Sequence, residues 1–178
     1  MIDLVSKAKQ GDVNAFHQLY NQFGRDIYNF VYRLTGSKEE AEDLTQETFV
    51  KAYMELKHLR EDSRFKSWLF SIARNEVYQR ARRHAFKTKS LEEEPVQIRS
   101  QEKNPEEAYL HGELSELVQS ALDSLPLKLK TVLILAAVQN HSYQEIAEMV
   151  GRSMAAVKTD IHRARLRVRD YIKKHTGP

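Results

Sequence analysis

Cysteine is absent from the 178 residues, which excludes disulfides, thiolate chemistry and cysteine-ligated zinc. Only four prolines and six glycines punctuate the chain, so long helices have room to run. An apolar run of roughly eighteen residues, the length of a membrane span, is missing too. The longest greasy stretch, Thr131 to Val138, is less than half of that, and no membrane insertion is expected. The opening MIDLVSKAKQGD has neither the apolar core nor the small-residue cleavage site of a signal peptide, so a cytoplasmic protein is expected. A phosphate-cradling glycine loop and a GxSxG elbow are lacking, and the seven histidines are scattered without ligand spacing. Neither enzyme activity nor a metal or other cofactor is expected.

Charge of one sign is also scarce in bulk. Twenty-eight basic and 25 acidic side chains leave a net +3. The distribution is far from even. Glu39 to Asp62 carries eight acids against three bases, Arg74 to Lys89 six bases against one acid, and Lys158 to Lys174 seven bases against two acids. Two basic runs and one acidic run on a nearly neutral chain point to different partners for different faces, with a polyanion on the basic ones.

The periodicity is helical nearly throughout. A short helix from Asp3 to Gln10 ends at Gly11. Asp12 caps a second, whose positions Phe16, Leu19, Phe23, Ile27, Phe30 or Val31, and Leu34 form one apolar stripe that Gly36 stops. Ser37 and Glu40 form a capping box for a third, with Ala41, Leu44, Thr48, Phe49, Ala52, Tyr53 and Leu56 on one side and Glu40, Asp43, Glu47 and Lys51 on the other. Ser63 caps a fourth through Phe65, Trp68, Leu69, Ile72, Ala73 and Val77 into a basic tail. From Phe86 to about Pro105 the stripe collapses into an acidic, proline-containing linker. A second domain begins near Glu106, with one helix through Leu110, Leu114, Leu117 and Leu122 and another from Lys128 to Val138. Gln139, Asn140 and His141 connect onward. The predicted fold is all-α: two small helical domains, 1–85 and 106–178, joined by a flexible acidic linker over 86–105.

The end of the chain reads as a helix-turn-helix. Ser142 and Glu145 box the start of a short helix in which Ile146, Ala147 and Val150 point inward; Gly151 makes the turn, and Ser153 caps a helix with Val157, Ile161, Ala164, Val168 and Ile172 inside. Its other face carries Ala155, Ala156, Lys158, Thr159, His162, Arg163 and Arg165. Small residues near the tip let a helix approach base edges, while arginines reach phosphates. Asp160 interrupts this set; pairing within its own helix to Lys158, Arg163 or Arg165 is the preferred reading, with acceptance from a cytosine amino group or orientation away as alternatives. In the fourth helix, aromatic residues interleave with Arg64, Lys66, Arg74, Arg80, Arg82 and Arg83, as suits a groove that holds unstacked bases. Phe70 and Tyr78 lie off its core stripe, and Asn75 carries both a donor and an acceptor.

Taken together, the strings GDVNAF, AEDLTQETFVKAY and RFKSWLFSIARN, followed by LPLKLKTVLIL, SYQEIAEMVGRS and VKTDIHRARLRVR, resemble the bacterial extracytoplasmic-function sigma factors. The resemblance implies binding to core RNA polymerase through a coiled coil of its largest subunit by Asp43, Leu44, Gln46, Glu47, Phe49 and Lys51. It implies capture of the melted downstream promoter element by the loop Leu59, Arg60, Asp62 and Ser63 and by Arg64, Lys66, Arg74, Asn75, Tyr78, Gln79, Arg80, Arg82 and Arg83. Duplex reading of the upstream element falls to Ser142, Tyr143, Arg152, Ser153 and the exposed set from Ala155 to Arg165. Promoter DNA, core polymerase and an anti-sigma protein are the implied partners.

Departures from the family pattern are Gln79 where Asp is frequent, Ala156 where Thr is common, Asp160 where Arg is common, and Gln139-Asn140-His141 where Glu-Gly-Leu is usual; the charge reversal at Asp160 implies weaker duplex affinity. A helix-turn-helix regulator that binds operators without polymerase is the alternative. A third reading, an interaction module that has lost promoter binding, is motivated by Asp160 alone.

Overall fold

The computed structural model describes residues 1–90, 112–137 and 141–176, and every regular element among them is helical. The helices are α1 (Ile2–Lys9), α2 (Val13–Thr35), α3 (Lys38–Glu55), α4 (Phe65–Ser90), α5 (Gly112–Asp123), α6 (Leu127–Ala137), α7 (Tyr143–Val150) and α8 (Met154–Thr176). They divide into two compact units, the first built on α1 to α4, the second on α5, α6, α8 and the larger part of α7. None of these helices is long and apolar enough to cross a membrane.

The predicted start signals act locally. Asp12 accepts a hydrogen bond from the Ala15 amide at 3.0 Å, and Ser37 Oγ accepts from the Glu40 amide at 3.3 Å. The capping box of α3 is only half closed: the Ser37 amide donates to Thr35 Oγ1, and the Glu40 carboxylate lies 3.4 Å from His84 of α4. Gly36 ends α2 at φ +75°, a left-handed conformation that costs any residue with a Cβ.

In the first unit, Leu19, Phe23, Ile27, Phe30, Val31 and Leu34 of α2 are all buried, as are Leu44 and Phe49 of α3 and Leu69, Ile72 and Val77 of α4. Phe16 is only half-buried and packs edge-on against Tyr53. Phe70 is 1% exposed and meets Phe30 edge-on at 5.3 Å, so it is core and not a base-stacking surface. Ser63 does not cap α4; it lies inside a 3₁₀ turn, Asp62–Arg64, that leads into the helix. α4 runs through Ser90, so residues 86–90 are helical where a linker is predicted. The rest of that linker, the domain start near Glu106 with Leu110, and Gln139 with Asn140 lie outside the described residues, as does the side chain of Leu114.

In the second unit, α6 is buried over Leu129 to Leu135, and its Lys130 reaches Asp123 of α5 at 2.6 Å. Val157, Ile161 and Ala164 turn the predicted face of α8 inward, while Val168 and Ile172 are half-exposed. On α7 Ile146 and Ala147 are buried as expected and Met149 joins them at 1% exposure, while Val150 is half-exposed.

Candidate nucleic-acid interface

Charge first assembles along the seam between α3 and α4. Glu40 faces His84 at 3.4 Å, Glu47 meets Arg80 at 3.0 Å and Lys51 meets Glu76 at 3.0 Å. Residue numbers rise on one helix as they fall on the other, so the pair is antiparallel and its charged edges interlock. Glu76 is 7% exposed, and its hydrogen bond is the main cause that raises the Lys51 pKa above the ordinary lysine value. Lys51 is therefore committed to holding the two helices together. Leu44 and Phe49 are likewise core residues, at 0% and 4% exposure, whose side chains face inward. Asp43, Gln46 and Glu47 stay exposed on the acidic face.

Exposed apolar residues on α3 extend this face, two of which, Val50 and Met54, the periodicity does not single out. Val50, Tyr53 and Met54 are all about half-exposed or more. Tyr53 was expected in the core stripe and instead lies outside it. From α2, the partly exposed Tyr20 packs edge-on against Phe49 at 4.7 Å. An acidic row continued by exposed apolar side chains suits a protein partner. The signal in the sequence is that Val50 and Met54 are apolar residues off the Leu44–Phe49–Ala52 stripe.

The loop before α4 is tied down from α1. Lys9 Nζ donates to the Leu59 carbonyl and to Asp62 Oδ1, both at 2.7 Å. Leu59 is buried, so of the predicted loop residues only Arg60 and Ser63 present exposed side chains; Asp62 is occupied by Lys9, and Arg64 by Glu61 at 2.8 Å.

Along α4 the predicted residues do not all share one face: Arg80 turns toward α3 to meet Glu47, and Lys66, nine residues before Asn75, lies on the opposite side of the helix. Asn75, Gln79, Arg82 and Arg83 are exposed, Lys66 and Trp68 half-exposed, and Tyr78 half-buried between them. The Arg74 guanidinium lies 5.9 Å from the centre of the Tyr78 ring and donates to Asn75 Oδ1 at 2.8 Å. Burial lowers the Arg74 pKa from its ordinary value, opposed by Tyr78. The Asn75 oxygen is thus held by Arg74, and the NH2 half of this exposed side chain is the part left to donate.

The helix-turn-helix is fastened at each residue of its turn. The Ser142–Glu145 box closes both ways: Glu145 N donates to Ser142 Oγ at 3.2 Å and Ser142 N to Glu145 Oε2 at 2.8 Å. Gly151 has φ +64°, its amide reaches the Glu148 carbonyl at 3.3 Å, and the Arg152 amide reaches the Ala147 carbonyl at 3.0 Å. Ser153 Oγ accepts from the Ala156 amide at 3.3 Å. Ala155, Lys158, Thr159, His162, Arg163 and Arg165 are exposed, and the Lys158 ammonium lies 5.9 Å from the centre of the Tyr143 ring.

Asp160 corrects the sequence reading. It is 3% exposed, and its partners are not neighbours on its own helix: Oδ2 pairs with the Arg152 guanidinium from the turn and lies 3.4 Å from Lys128 Nζ of α6. Its negative charge is directed inward, away from the exposed face. The motive for an interaction module without DNA binding is thereby removed, and Arg152 is diverted from the phosphate-facing set.

Elsewhere in the second unit Val118, Leu122, Ile134, Ala137, Val168 and Ile172 line an open apolar groove rimmed by Arg165, Arg169 and Lys173.

The sequence profile of the family described as Sigma-70 region 2 matches residues 19–87, and that described as Sigma-70, region 4 matches residues 115–168. The chain is 31% identical over 177 residues to the ECF RNA polymerase sigma factor SigW of Bacillus subtilis, covering 95% of each. It is 35% identical over 164 residues to the RNA polymerase sigma factor YlaC of the same organism, covering 94% of that protein. To the ECF RNA polymerase sigma factor SigE of Mycolicibacterium smegmatis it is 32% identical, but it spans only 65% of that relative's length. Among solved structures, CnrH in complex with the cytosolic domain of CnrY superposes with a TM-score of 0.75 at 26% identity, over 98% of this chain and 97% of that one. The sigma factor RpoE from Bartonella quintana, bound to the anti-sigma factor NepR, shares the fold with a TM-score of 0.78 at 24% identity, over 90% and 98%.

Proposed function

Because the chain belongs to the extracytoplasmic-function sigma factors, we propose that it joins core RNA polymerase and directs promoter-specific transcription initiation in the cytoplasm, itself catalysing nothing. The acidic and apolar face of α3, centred on Asp43, Gln46, Glu47, Val50 and Met54, grips the polymerase. The stripe along α4 takes the non-template strand of the downstream element as it melts. The helix-turn-helix reads the upstream element as duplex, with Lys158, Thr159, His162 and Arg163 toward the groove.

The observation that carries this reading is the α4 face. Trp68 and Tyr78 flank an exposed asparagine whose NH2 group is left to donate, and Arg82 and Arg83 follow, which is the chemistry of stacking and backbone tracking on a single strand. A regulator of duplex operators has no use for such a face. Unstacking bases costs a few kcal/mol per step, by order of magnitude, so strand capture needs the polymerase as a source of binding energy. An anti-sigma protein is proposed as the controlling partner, by analogy with RpoE, whose structure contains one.

The test is transcription in vitro from a promoter library, with purified core polymerase and the protein supplied separately and together. Specific starts are expected only when both are present. Tight duplex binding by the protein alone, with no initiation in any combination, sinks the proposal in favour of an operator-binding regulator.

A further inference from the structure

Asp160 is a carboxylate with almost no contact with water, eight residues beyond the arginine it pairs with. A buried charge is kept only where it is compensated, and the compensation here comes from two different elements. Arg152 supplies one part. Its backbone amide already closes α7 through the Ala147 carbonyl, so its guanidinium, reaching α8, fastens the turn to the helix that follows. Lys128 supplies the other, 3.4 Å away from the first turn of α6. A cation at that position opposes the helix macrodipole, and the Asp160 charge offsets the conflict. One carboxylate thus joins the turn, the recognition helix and the helix behind it.

Resting on the promoter-reading role proposed above, we infer that Asp160 is the positioning residue of the helix-turn-helix. By holding Arg152 and Lys128 it sets the angle at which α8 presents Ala155, Lys158, Thr159 and His162 to duplex DNA, and it withholds Arg152 from the phosphates. Specificity, more than affinity, is what it confers. A buried ionic group is a poor source of net stability but a good device for fixing one arrangement over its neighbours.

The experiment uses the full chain with core polymerase and two duplexes: one enriched by the wild-type holoenzyme from a randomised upstream-element library, and its scrambled counterpart. Asp160→Asn releases Arg152 and Lys128. Affinity for the scrambled duplex and the steepness of its salt dependence should rise, and discrimination between the duplexes should fall about tenfold. Arg152→Gln should lower discrimination similarly while leaving the salt slope unchanged, and the double variant should be no worse than the poorer single one. A merely structural role would weaken both duplexes equally, with no rise in salt slope, and that result overturns the inference. So do additive effects, or an Arg152→Gln variant whose salt slope drops by about 0.9, the signature of one lost phosphate contact. Should Asp160→Asn fail to fold, Arg152→Gln alone decides between these outcomes, because Asp160 keeps Lys128. If the wild type enriches no duplex, the promoter reading itself fails and the inference with it; if it enriches one and the two effects add, only the inference fails.

Discussion

Glu47 on α3 and Arg80 on α4 meet at 3.0 Å, so a residue assigned to polymerase binding neutralises one assigned to DNA. Their side chains are 45% and 23% exposed, which makes the pair weak on its own account. Its consequence lies in what each partner is free to do. Glu47→Gln should weaken association with core polymerase and, in the free protein, release Arg80 toward single-stranded DNA. Fluorescence anisotropy of a labelled oligonucleotide against salt measures the second effect. The salt slope should steepen by about 0.7, the value for one additional phosphate contact on a single strand. An unchanged slope would mean that Arg80 does not reach the strand.

Lys51 and Glu76 close the same seam one turn further along. The Lys51 pKa is raised in the folded state, first by the hydrogen bond it donates to Glu76, against desolvation. A raised lysine pKa contributes stability in full below its unfolded value of about 10.5 and loses it as pH climbs through the higher folded value. Urea denaturation should therefore show wild-type stability falling above about pH 10 with a component that Lys51→Met lacks. At neutral pH that variant should be less stable by about 1–3 kcal/mol, because it strands a nearly buried carboxylate. The Lys51 side chain is 39% exposed and screened by water, so most of the loss belongs to Glu76. Parallel pH profiles for the two proteins would refute the assignment.

Lys9 fixes the loop that enters α4 through two contacts at 2.7 Å, one to the Leu59 carbonyl and one to Asp62. Lys9→Met should leave α2 and α3 intact and loosen residues 59–64. Hydrogen exchange is the direct measure: amide protection should fall in that loop alone. Promoter opening should slow with it, since Arg60 and Ser63 lose their defined position. Uniform loss of protection across α1 to α4 would show instead that Lys9 supports the whole unit.

Local signals were legible in the sequence because their causes are local. Asp12, Ser37, Ser142 and Ser153 cap the helices they precede, and Leu19, Phe23 and Ile27 lie on the buried face their spacing specifies. Errors arose where one position had to be chosen between adjacent apolar residues, as with Met149 and Val150, or at the margin of a stripe, as with Tyr53. α4 outruns its apolar stripe because no proline or glycine stands between Arg64 and Pro95, and a helix without a breaker continues through polar residues. The ion pairs could not be read at all. Glu47 and Arg80 are 33 residues apart and Lys9 and Asp62 are 53 apart, so only the packing of the helices brings them together. Asp160 was misread for the same reason: the helical wheel offers neighbours one turn away, whereas its partners belong to a turn and to another helix.

Asn75 is exposed and its oxygen accepts from Arg74, which leaves its NH2 group to donate to a ligand. Asn75→Asp keeps the acceptor that holds Arg74 and removes the NH2 donor; Asn75→Ala removes both. If that donor contacts a base in the melted strand, the two variants should form closed complexes normally and be similarly slow to open, as read by permanganate reactivity of unpaired thymines. If Asn75 serves only to anchor Arg74, Asn75→Asp should behave as wild type.

Phe70 and Tyr78 looked alike in the sequence, two aromatic residues off the core stripe of α4, and the structure separates them. Phe70 is 1% exposed against Phe30, whereas Tyr78 is only half-buried, with the Arg74 guanidinium over its ring. Phe70→Ala should cost about 3–5 kcal/mol of stability, the range for truncating a buried phenylalanine. Any defect in transcription should then follow the fraction of folded protein. Tyr78→Ala should unfold at nearly the wild-type denaturant midpoint and yet bind the downstream single strand more weakly, by about 1–3 kcal/mol if a base stacks on the ring. Measuring stability and strand affinity on both variants distinguishes a packing residue from a binding one. A Tyr78→Ala protein that loses stability as heavily as Phe70→Ala, with strand affinity per folded molecule unchanged, would return Tyr78 to the core and leave Trp68 as the stacking surface of the helix.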